Sequence, residues 1–344
     1  MTRSSFIVDR VDSVLARTLQ VARQKWVSVE ADLGVVFDEI ELLSTTGKRL
    51  RPQFAHWGWV AAGGQSESSE PDEIGAAIEL LHIFALFHDD VIDDAGTRRG
   101  IATTHVRRAE VHSQNKWAGE SRRFGDGSAV LIGDIAYVIS DQLMDALSPP
   151  ARSLWHDLRF EMNVGQYLDT IVSARRATEL SAARQVAIFK TAKYTIERPL
   201  HIGAVAAHAE RGTTLLPMFS AYGLSLGEAF QMRDDILGAF GDAAVTGKPV
   251  GGDFLEGKRT PLLAYAFENA SDKQRKVLDT VGEELMNVEQ VQEVVLATGA
   301  VTYMESRISQ LHDEAVNALQ ESELAGDAYA ELVALAEVAT KRQR

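Results

Sequence analysis

Apolar residues recur every three or four positions along most of this chain, which is the spacing of one face of an α-helix. The pattern is clearest in residues 74–94, which follow the acidic turn Pro71-Asp72-Glu73 and precede Gly96. Similar spacing predicts helices at residues 9–43, 129–147, 153–173, 182–210, 218–240, 261–268, 274–296, 301–320 and 325–340. Alternation with a period of two is scarce, so we expect an all-α fold without a sheet.

Short breaks separate the predicted helices, at residues 62–70, 123–128, 211–214 and 241–260. The last break is unusual because it contains five glycines together with the charged residues Asp242, Lys248, Asp253, Lys258 and Arg259. A long glycine-rich loop is more often functional or disordered than a plain connector. No low-complexity linker divides the sequence, so we predict one domain over residues 1–344.

The charge balance narrows the range of partners. Lysine and arginine total 35 against 49 acidic residues, a formal net charge of −14. Such an acidic surface argues against nucleic acid or an anionic membrane as a general partner. The absence of cysteine excludes disulfides, thiolate metal ligands and a cysteine nucleophile. With no apolar run of about 18 residues and no apolar signal core, we expect a soluble, cytoplasmic protein without stable membrane insertion.

Four aspartates stand at the end of the helix predicted at residues 74–94. On a helix the carboxylates of Asp89 and Asp93 lie roughly 6 Å apart, and Asp90 and Asp94 form a second such pair. The mutual repulsion, and the negative end of the helix dipole, disfavour this arrangement unless a cation binds. A solvated acidic helix end is the plainer alternative. Because all four acids follow an apolar run directly, we favour a divalent metal site.

The type of ligand suggests which ion and which partner bind there. Oxygen ligands alone favour Mg²⁺ or Ca²⁺ over zinc or copper. Magnesium is usually held by one or two carboxylates together with waters and substrate phosphates. Arg98 and Arg99 follow the acids, and a metal bound by carboxylates alone would not need them. The combination indicates a metal–diphosphate ligand.

A second acidic pair occurs later in the chain, at Asp234 and Asp235. Gln231 precedes these residues by three and four positions, so all three can face one side of a helix. An ordinary polar helix surface is the alternative. The glycine-rich loop that follows carries Lys248 and Lys258, which could close over phosphate oxygens with ammonium groups and backbone N–H groups.

Taken together, these segments resemble the trans-polyprenyl (isoprenyl) diphosphate synthases. Asp89–Asp93 looks like the first aspartate-rich motif of that family, DDxxD. Other matches are weak singly but follow the family's order and spacing over most of the chain. They are Gly47-Lys48-Arg49-Leu50-Arg51-Pro52, Arg98-Arg99-Gly100, Gly133-Asp134, Gly165-Gln166 with Asp169, Lys190-Thr191-Ala192, Phe230-Gln231 with Asp234-Asp235, and Gly247-Lys248-Pro249 to Gly257-Lys258.

The resemblance implies a helical bundle around a deep central cavity, and a homodimer. It also implies roles for individual residues. Asp89, Asp93 and Asp234 would hold three Mg²⁺ ions against the allylic diphosphate, with Asp90, Asp169, Asp235 and Gln166 beside them. Arg98, Lys190, Lys248 and Lys258 would bind that diphosphate. Gly47, Lys48, Arg51, His82 and Arg99 would form the metal-free pocket for isopentenyl diphosphate, and Thr191 and Gln231 would face the reacting carbon.

The second aspartate motif departs from the family pattern. Gly238 stands where the family usually has a carboxylate, four residues after Asp234. Asp242 is about 12 Å further along a continuous helix than Asp234, which is too far for Asp242 to replace the carboxylate missing at position 238. Either Asp235 and water complete this site, or it binds metal more weakly.

The implied activity is the condensation of isopentenyl diphosphate with dimethylallyl, geranyl or farnesyl diphosphate. We expect geranylgeranyl diphosphate (C20) as the product. Five residues before Asp89 stands the aromatic Phe84 and four residues before it the small Ala85, and an aromatic at only the deeper of these two positions resembles the archaeal-type geranylgeranyl diphosphate synthases. A farnesyl or a longer-chain synthase is the alternative. A class I terpene cyclase is less favoured, given Lys48, Arg51 and the second aspartate pair. A non-catalytic regulatory subunit of a prenyltransferase is indicated only by Gly238.

Overall fold

The computed structural model describes residues 3–45, 47–98, 100–241 and 250–341. These residues are largely helical, which confirms the all-α prediction. The helices are α1 (Arg3–Val27), α2 (Gly34–Ser44), α3 (Leu50–Ala61), α4 (Glu70–Ile92), α5 (Thr104–Gln114), α6 (Ser121–Leu143), α7 (Pro149–Ala174), α8 (Leu180–Val186), α9 (Arg198–Ala207), α10 (Ala209–Phe240), α11 (Gly252–Leu255), α12 (Pro261–Asn269), α13 (Asp272–Leu278), α14 (Val288–Ala297), α15 (Ala300–Ala318) and α16 (Ala328–Thr340). A π-helical segment, Ala187–Glu197, joins α8 to α9, and 3₁₀ turns occupy Ala31–Leu33 and Glu321–Glu323.

The chain forms two compact units. Unit 1 comprises Met1–Thr97, Ile101–Trp155 and Pro199–Thr213. Unit 2 comprises Arg98–Gly100, His156–Arg198 and Thr214–Arg344. One domain over residues 1–344 stays a prediction.

Helix α4 is the core element of unit 1 and packs against α1, α3 and α6. It begins with Glu70, Asp72 and Glu73 in its first turn and a proline among its first residues, a favourable start for the helix dipole. Its residues from Ile74 to Leu81 are all buried. Helix α4 therefore holds its acidic C-terminal end on a rigid support.

Unit 1 is completed by a segment from much later in the chain, which contains α9. A Cβ atom added to Gly58 on α3 would lie 2.3 Å from the backbone oxygen of Leu200. A Cβ atom added to Gly203 on α9 would lie 1.9 Å from the backbone oxygen of Ala55. Helices α3 and α9 thus approach at backbone distance, which glycine at both positions permits.

The core of unit 2 is built by its C-terminal helices around the end of α10. Its buried apolar side chains include Met232, Ile236, Phe254, Leu262, Leu263, Phe267, Leu278, Val291, Val295, Met304, Ile308 and Leu311. Tyr222, also fully buried, donates a hydrogen bond of 2.8 Å to the backbone oxygen of Leu332 on α16. This packing fixes α10 against the last helices of the chain.

Two helices do not follow from the apolar pattern. Every residue of α3 from Pro52 to Ala61 is buried, so no polar face marks it as a helix. Helix α5 is largely polar, so it lacks the apolar face that would mark it as a helix. The prediction of no sheet is also wrong in one small detail, because Thr97–Arg98 and Ile101–Ala102 form a two-stranded hairpin.

Several predicted boundaries are wrong because glycines were taken as breaks. Residues 123–128 are helical, since the Glu120 side chain accepts from the backbone N–H groups of Arg122 and Arg123 and starts α6 early. Gly125 serves packing instead, with no room for a Cβ atom beside the backbone oxygen of His105. Residues 211–214 likewise lie inside α10.

Three long predicted helices are interrupted. The helix expected at residues 182–210 contains the π-helical segment and breaks between α9 and α10. The helix expected at residues 9–43 divides at the 3₁₀ turn Ala31–Leu33. The helix expected at residues 274–296 divides into α13 and α14, and Gly282 lies between them with a φ of 84°. Within the described parts of the chain, no helix combines the length and apolar character needed to cross a bilayer.

A buried histidine gives unit 1 a testable pH dependence. His56 on α3 is 1% exposed, and burial, with a contribution from Arg10, lowers its pKa from 6.5 to about 4. Between these values the unfolded chain binds a proton that the folded protein excludes. Stability should therefore fall as the pH drops from 6.5 towards 4, by about 3 kcal/mol from this group alone.

The check is chemical unfolding of the wild type and of His56→Gln between pH 7 and pH 4. The variant should lose that part of the pH slope. The exposed His156 on α7 provides the matched control, because His156→Gln should keep the wild-type slope. Equal slopes for wild type and His56→Gln would contradict the assignment.

Candidate active site

The first acidic motif lies at the C-terminal end of α4. Asp93 caps the helix, and its N–H donates to the backbone oxygen of Asp89 at 2.8 Å. The four-residue relation between Asp89 and Asp93 is therefore kept. The expected pairing of Asp90 with Asp94 is wrong, because Asp94 has a left-handed φ of 51° and forms an ion pair of 2.8 Å with Arg122. Asp90 is only 4% exposed.

A histidine beside the first motif is held by the Gly133-Asp134 pair of α6. His88 Nε2 lies 3.3 Å from an Asp134 carboxylate oxygen and 3.2 Å from the backbone oxygen of Val130. A Cβ atom at position 133 would lie 2.7 Å from the His88 ring, so glycine allows this contact. The pair thus orients the residue next to Asp89.

In the segment Gly47–Arg51, Arg49 has a structural role, whereas its neighbours Lys48 and Arg51 are candidate ligands. Arg49 has a φ of 50° and a buried side chain, which forms ion pairs of 2.7 Å with Glu79 and 2.8 Å with Asp12. Lys48 is exposed, Arg51 is half-buried, and the Lys48 backbone oxygen accepts from Gln53 Nε2 at 2.8 Å. Arg49 therefore fixes the backbone that presents its neighbours.

Unit 1 contains the first motif together with most of the residues expected to bind isopentenyl diphosphate. His82 and Asp89 are seven residues apart on α4, so they share a face about 10.5 Å apart along the axis. Gly47, Lys48 and Arg51 precede and begin α3, which packs directly on α4. Arg99 lies outside the described residues, as do Asp242, Gly247 and Lys248.

Lys190 and Thr191 lie in the π-helical segment, a rare conformation that is frequent at functional sites. Two glycines bring neighbouring helices against this segment. A Cβ atom at Gly165 on α7 would lie 2.4 Å from the backbone nitrogen of Lys190. A Cβ atom at Gly227 on α10 would lie 2.3 Å from Ala192 Cα.

Hydrogen bonds join candidate residues from three elements of unit 2. Lys190 Nζ lies 2.6 Å from Asp169 Oδ2 on α7. The Thr191 hydroxyl donates to Gln231 Oε1 at 2.5 Å, and Gln231 Nε2 donates to Asp235 Oδ1 at 2.7 Å. The expectation that Gln231 and Asp235 face one side of a helix is confirmed.

The second acidic pair contains one buried and one accessible carboxyl group. Asp235 is 1% exposed, and its Oδ2 has no hydrogen-bond partner among the described residues. Burial raises the pKa of Asp235 well above its usual value, with further contributions from Asp253 and Asp169, and the Gln231 hydrogen bond only partly opposes the shift. Asp234 is half-buried.

The sequence did not predict a second group of charged residues in unit 2, which is centred on Glu161. Glu161 on α7 bonds Lys193 at 2.8 Å and Arg198 at 2.7 Å. Burial alone would raise the pKa of Glu161, but these two cations overcome it and lower the net pKa. The only signal in the sequence is the spacing of Lys193 and Glu197, which form an i, i+4 ion pair.

Two further cationic side chains expected to bind substrate, Arg98 and Lys258, lie within the described residues. Arg98 is half-buried in the hairpin, and Lys258 forms an ion pair of 2.5 Å with Glu256. No group of three acidic, histidine or cysteine side chains in the described residues converges closely enough to enclose a metal ion by itself. The donors do fit magnesium, which takes one or two carboxylates and completes its shell with water and phosphate oxygens.

Comparison with known proteins identifies the family. The polyprenyl synthetase family model matches residues 39–298. The chain belongs to this family and is a prenyltransferase. A geranylgeranyl pyrophosphate synthase of Corynebacterium glutamicum, solved with isoprenyl diphosphate and magnesium, is 34% identical, with a TM-score of 0.92 over 99% of this chain and 100% of that one. The fold is therefore the helical bundle of the isoprenyl synthases.

Curated relatives in the family differ in their products. The geranylfarnesyl diphosphate synthase of Aeropyrum pernix is 32% identical over 78% of this chain and 81% of its own length. The octaprenyl diphosphate synthase of Escherichia coli is 31% identical over 88% of each chain. Sequence similarity at this level therefore does not set the product length.

The close contact of α7 with the π-helical segment can be tested by a substitution that adds one methyl group at Gly165. Gly165→Ala would place a Cβ atom against the Lys190 backbone and should move Lys190 and Thr191 away from their partners. We expect turnover to fall at least about tenfold and stability to fall by about 1–3 kcal/mol. Steady-state kinetics and chemical unfolding measure both effects.

Gly127→Ala is the matched control, because Gly127 is an exposed residue of α6 with open space at its Cβ position. This change should leave turnover unaltered and add up to about 1 kcal/mol of helix stability. If Gly165→Ala behaved like the control, the close contact would have no part in positioning the cluster.

Proposed function

We propose that this chain is a magnesium-dependent synthase that condenses isopentenyl diphosphate with allylic diphosphates and releases geranylgeranyl diphosphate and inorganic diphosphate. Dimethylallyl, geranyl and farnesyl diphosphate are the proposed allylic substrates. The observation that carries the proposal is the hydrogen-bonded cluster of Asp169, Lys190, Thr191, Gln231 and Asp235. The resemblance assigns Asp169, Lys190 and Asp235 to the metal-bound diphosphate and Thr191 and Gln231 to the reacting carbon, and the five residues come from three separate elements of unit 2.

The proposed reaction needs no side-chain nucleophile. The allylic carbon–oxygen bond breaks and diphosphate leaves, taking the bonding electron pair with it. The π electrons of isopentenyl diphosphate then form the new carbon–carbon bond, and a proton passes to the departed diphosphate. When bound, Mg²⁺ would stabilise the negative charge that develops on the leaving group.

The proposed ligands of that metal are Asp89, Asp93 and Asp234, with Asp90, Asp169, Asp235 and Gln166 beside them. Lys190, Arg98, Lys248 and Lys258 bind the allylic diphosphate, and their positive charges favour its departure. Thr191 and Gln231 face the reacting carbon. Gly47, Lys48, Arg51, His82 and Arg99 bind isopentenyl diphosphate without a metal.

The residues before the first motif have a second task, which is to keep water from the allylic cation. Leu80 and Leu81 are fully buried, and Phe84 is 8% exposed. The Phe84 ring contacts two other rings, with centroids 4.4 Å from His88 and 4.8 Å from Tyr137. A nearly buried ring in contact with two others supports the proposal that Phe84 forms the floor that limits product length.

A homodimer and a cytoplasmic location are further parts of the proposal. Exposed apolar residues on unit 1 support self-association: Leu131 and Val138 lie seven residues apart on α6, and Trp26 is 47% exposed. Ile135, on the same helix, lines an apolar groove with Trp26 and Phe37.

The decisive assay supplies radiolabelled isopentenyl diphosphate, Mg²⁺ and each allylic primer in turn, and sizes the products by chromatography. The proposal expects C20 product from every primer. Product of another length would keep the synthase and reject the C20 assignment. Absence of product with all primers would reject the synthase and favour a regulatory subunit.

The first motif is tested by Asp89→Ala. The variant should fold, with stability equal to or slightly above that of the wild type, because one repelling charge is removed from a helix C-terminus. Turnover should fall by several orders of magnitude. Asp94→Asn is the matched control, since Asp94 belongs to the same acidic end but pairs with Arg122, and it should keep most activity. Near-normal turnover in Asp89→Ala would reject the metal assignment.

Product length is tested by two variants at the proposed floor. Phe84→Ala should release products longer than those of the wild type, and Ala85→Phe should stop elongation at C15. Phe37→Ala is the control, because Phe37 is buried on α2 and its loss should cost about 3–5 kcal/mol of stability without changing the product. Wild-type products from both variants would place the floor elsewhere.

A further inference from the structure

The position that lacks its usual carboxylate already has a carboxylate beside it. A Cβ atom added to Gly238 would lie 2.0 Å from Asp253 Oδ2, 2.6 Å from its Cγ and 3.1 Å from its Oδ1. These distances are far below van der Waals contact. The Asp253 carboxylate thus fills the space where a side chain at position 238 would begin.

Asp253 is held there by the fold of unit 2. It belongs to α11, which starts after Gly251, and its backbone oxygen accepts from the N–H of Lys258 at 2.9 Å. The next residue, Phe254, is 2% exposed and belongs to the same apolar core as Met232 and Ile236 of α10. Packing therefore fixes α11 against the stretch of α10 that carries the second acidic pair.

Asp253 also joins the charged groups already assigned to the site. Asp235 interacts electrostatically with Asp253, Asp169 and Lys258. Its Oδ2 is buried and has no hydrogen-bond partner within the described parts of the chain. A buried carboxyl oxygen without a partner is destabilising, and a bound cation would supply the missing partner.

We infer that Asp253 supplies the third carboxylate of the second aspartate motif, from a separate helix, in place of a side chain at position 238. Glycine at 238 is then the requirement for this arrangement and not a loss. The inference rests on the proposed function, because it assigns a further residue to the proposed binding of divalent metal with diphosphate. It adds a carboxylate to Asp234 and to the buried Asp235; these side chains do not enclose an ion by themselves, so water and diphosphate oxygens would complete the shell.

The arrangement predicts that the site accepts a carboxylate at position 253 or at position 238, but not at both positions together. Asp253→Asn should weaken metal binding at least about tenfold, since it removes the charge and keeps the shape. Gly238→Asp alone should not strengthen binding, because the new side chain would displace Asp253, and it should lower stability. The double variant Gly238→Asp/Asp253→Gly should bind metal within a few-fold of the wild type.

The measurement is Mn²⁺ affinity by electron paramagnetic resonance, on the full chain with inorganic diphosphate present and no isoprenoid substrate. Thermal unfolding without metal verifies that each variant folds. Asp272→Asn, an exposed acid in the first turn of α13, is the matched control and should bind Mn²⁺ as the wild type does.

The outcomes separate this inference from the proposed function. If Asp253→Asn binds Mn²⁺ normally while Asp234→Asn does not, Asp253 is no ligand and only the inference fails. The same holds if Gly238→Asp alone tightens binding. If neither Asp234→Asn nor Asp89→Asn changes Mn²⁺ binding, and the wild type makes no product, the proposed function fails first.

Discussion

Helices that touch at backbone distance determine the geometry of the unit 2 cluster. Gly165 on α7 lies against Lys190, and Gly223 and Gly227 on α10 lie against Glu197 and Ala192 of the same π-helical segment. At such separations, neither neighbour can shift without a clash. The side chains of Lys190 and Thr191 therefore start from fixed backbone positions. Their hydrogen bonds to Asp169 and Gln231 follow from that placement.

The acidic character of the protein is balanced locally in most places. Asp94 has Arg122, Asp169 has Lys190, and Glu79 has Arg49, each within ion-pair distance. Asp235 differs, since its buried carboxyl group receives one described hydrogen bond and lies near two other acids. Unpaired acidic groups lower stability, and ion pairs relieve this effect elsewhere in the protein. At the proposed metal site the effect remains, as is common at functional sites.

The sequence predicted those parts of the fold in which an apolar face alternates with a polar one. Helix α3 was missed because burial on all sides leaves no such alternation, and α5 because it is mainly polar. The left-handed turn at Asp94 has no signature in a run of aspartates, so the second carboxylate pair was misplaced. The burial of α3 on all sides and the left-handed turn at Asp94 both depend on packing, which the spacing of apolar residues does not reveal.

Candidate site residues were predictable where a family motif includes them, as with Lys190, Gln231 and Asp235. Their individual contacts were not, because each contact joins helices far apart in sequence. Arg49 and Arg51 show the same limit. Both are arginines of one motif, and only the burial of Arg49 and its ion pairs with Glu79 and Asp12 identify it as structural. The proximity of Asp253 to Gly238 likewise depends on how α11 packs.

The late return of the chain to unit 1 affects how the protein can be synthesised. Helix α9 covers the glycine face of α3, yet more than 130 residues separate the two in sequence. While the ribosome produces the intervening chain, the buried surface of α3 near Gly58 lacks this cover. Contacts between such distant segments form slowly and leave apolar surface exposed in the meantime. The nascent chain should therefore be most prone to aggregation, and most dependent on chaperones, until α9 has emerged.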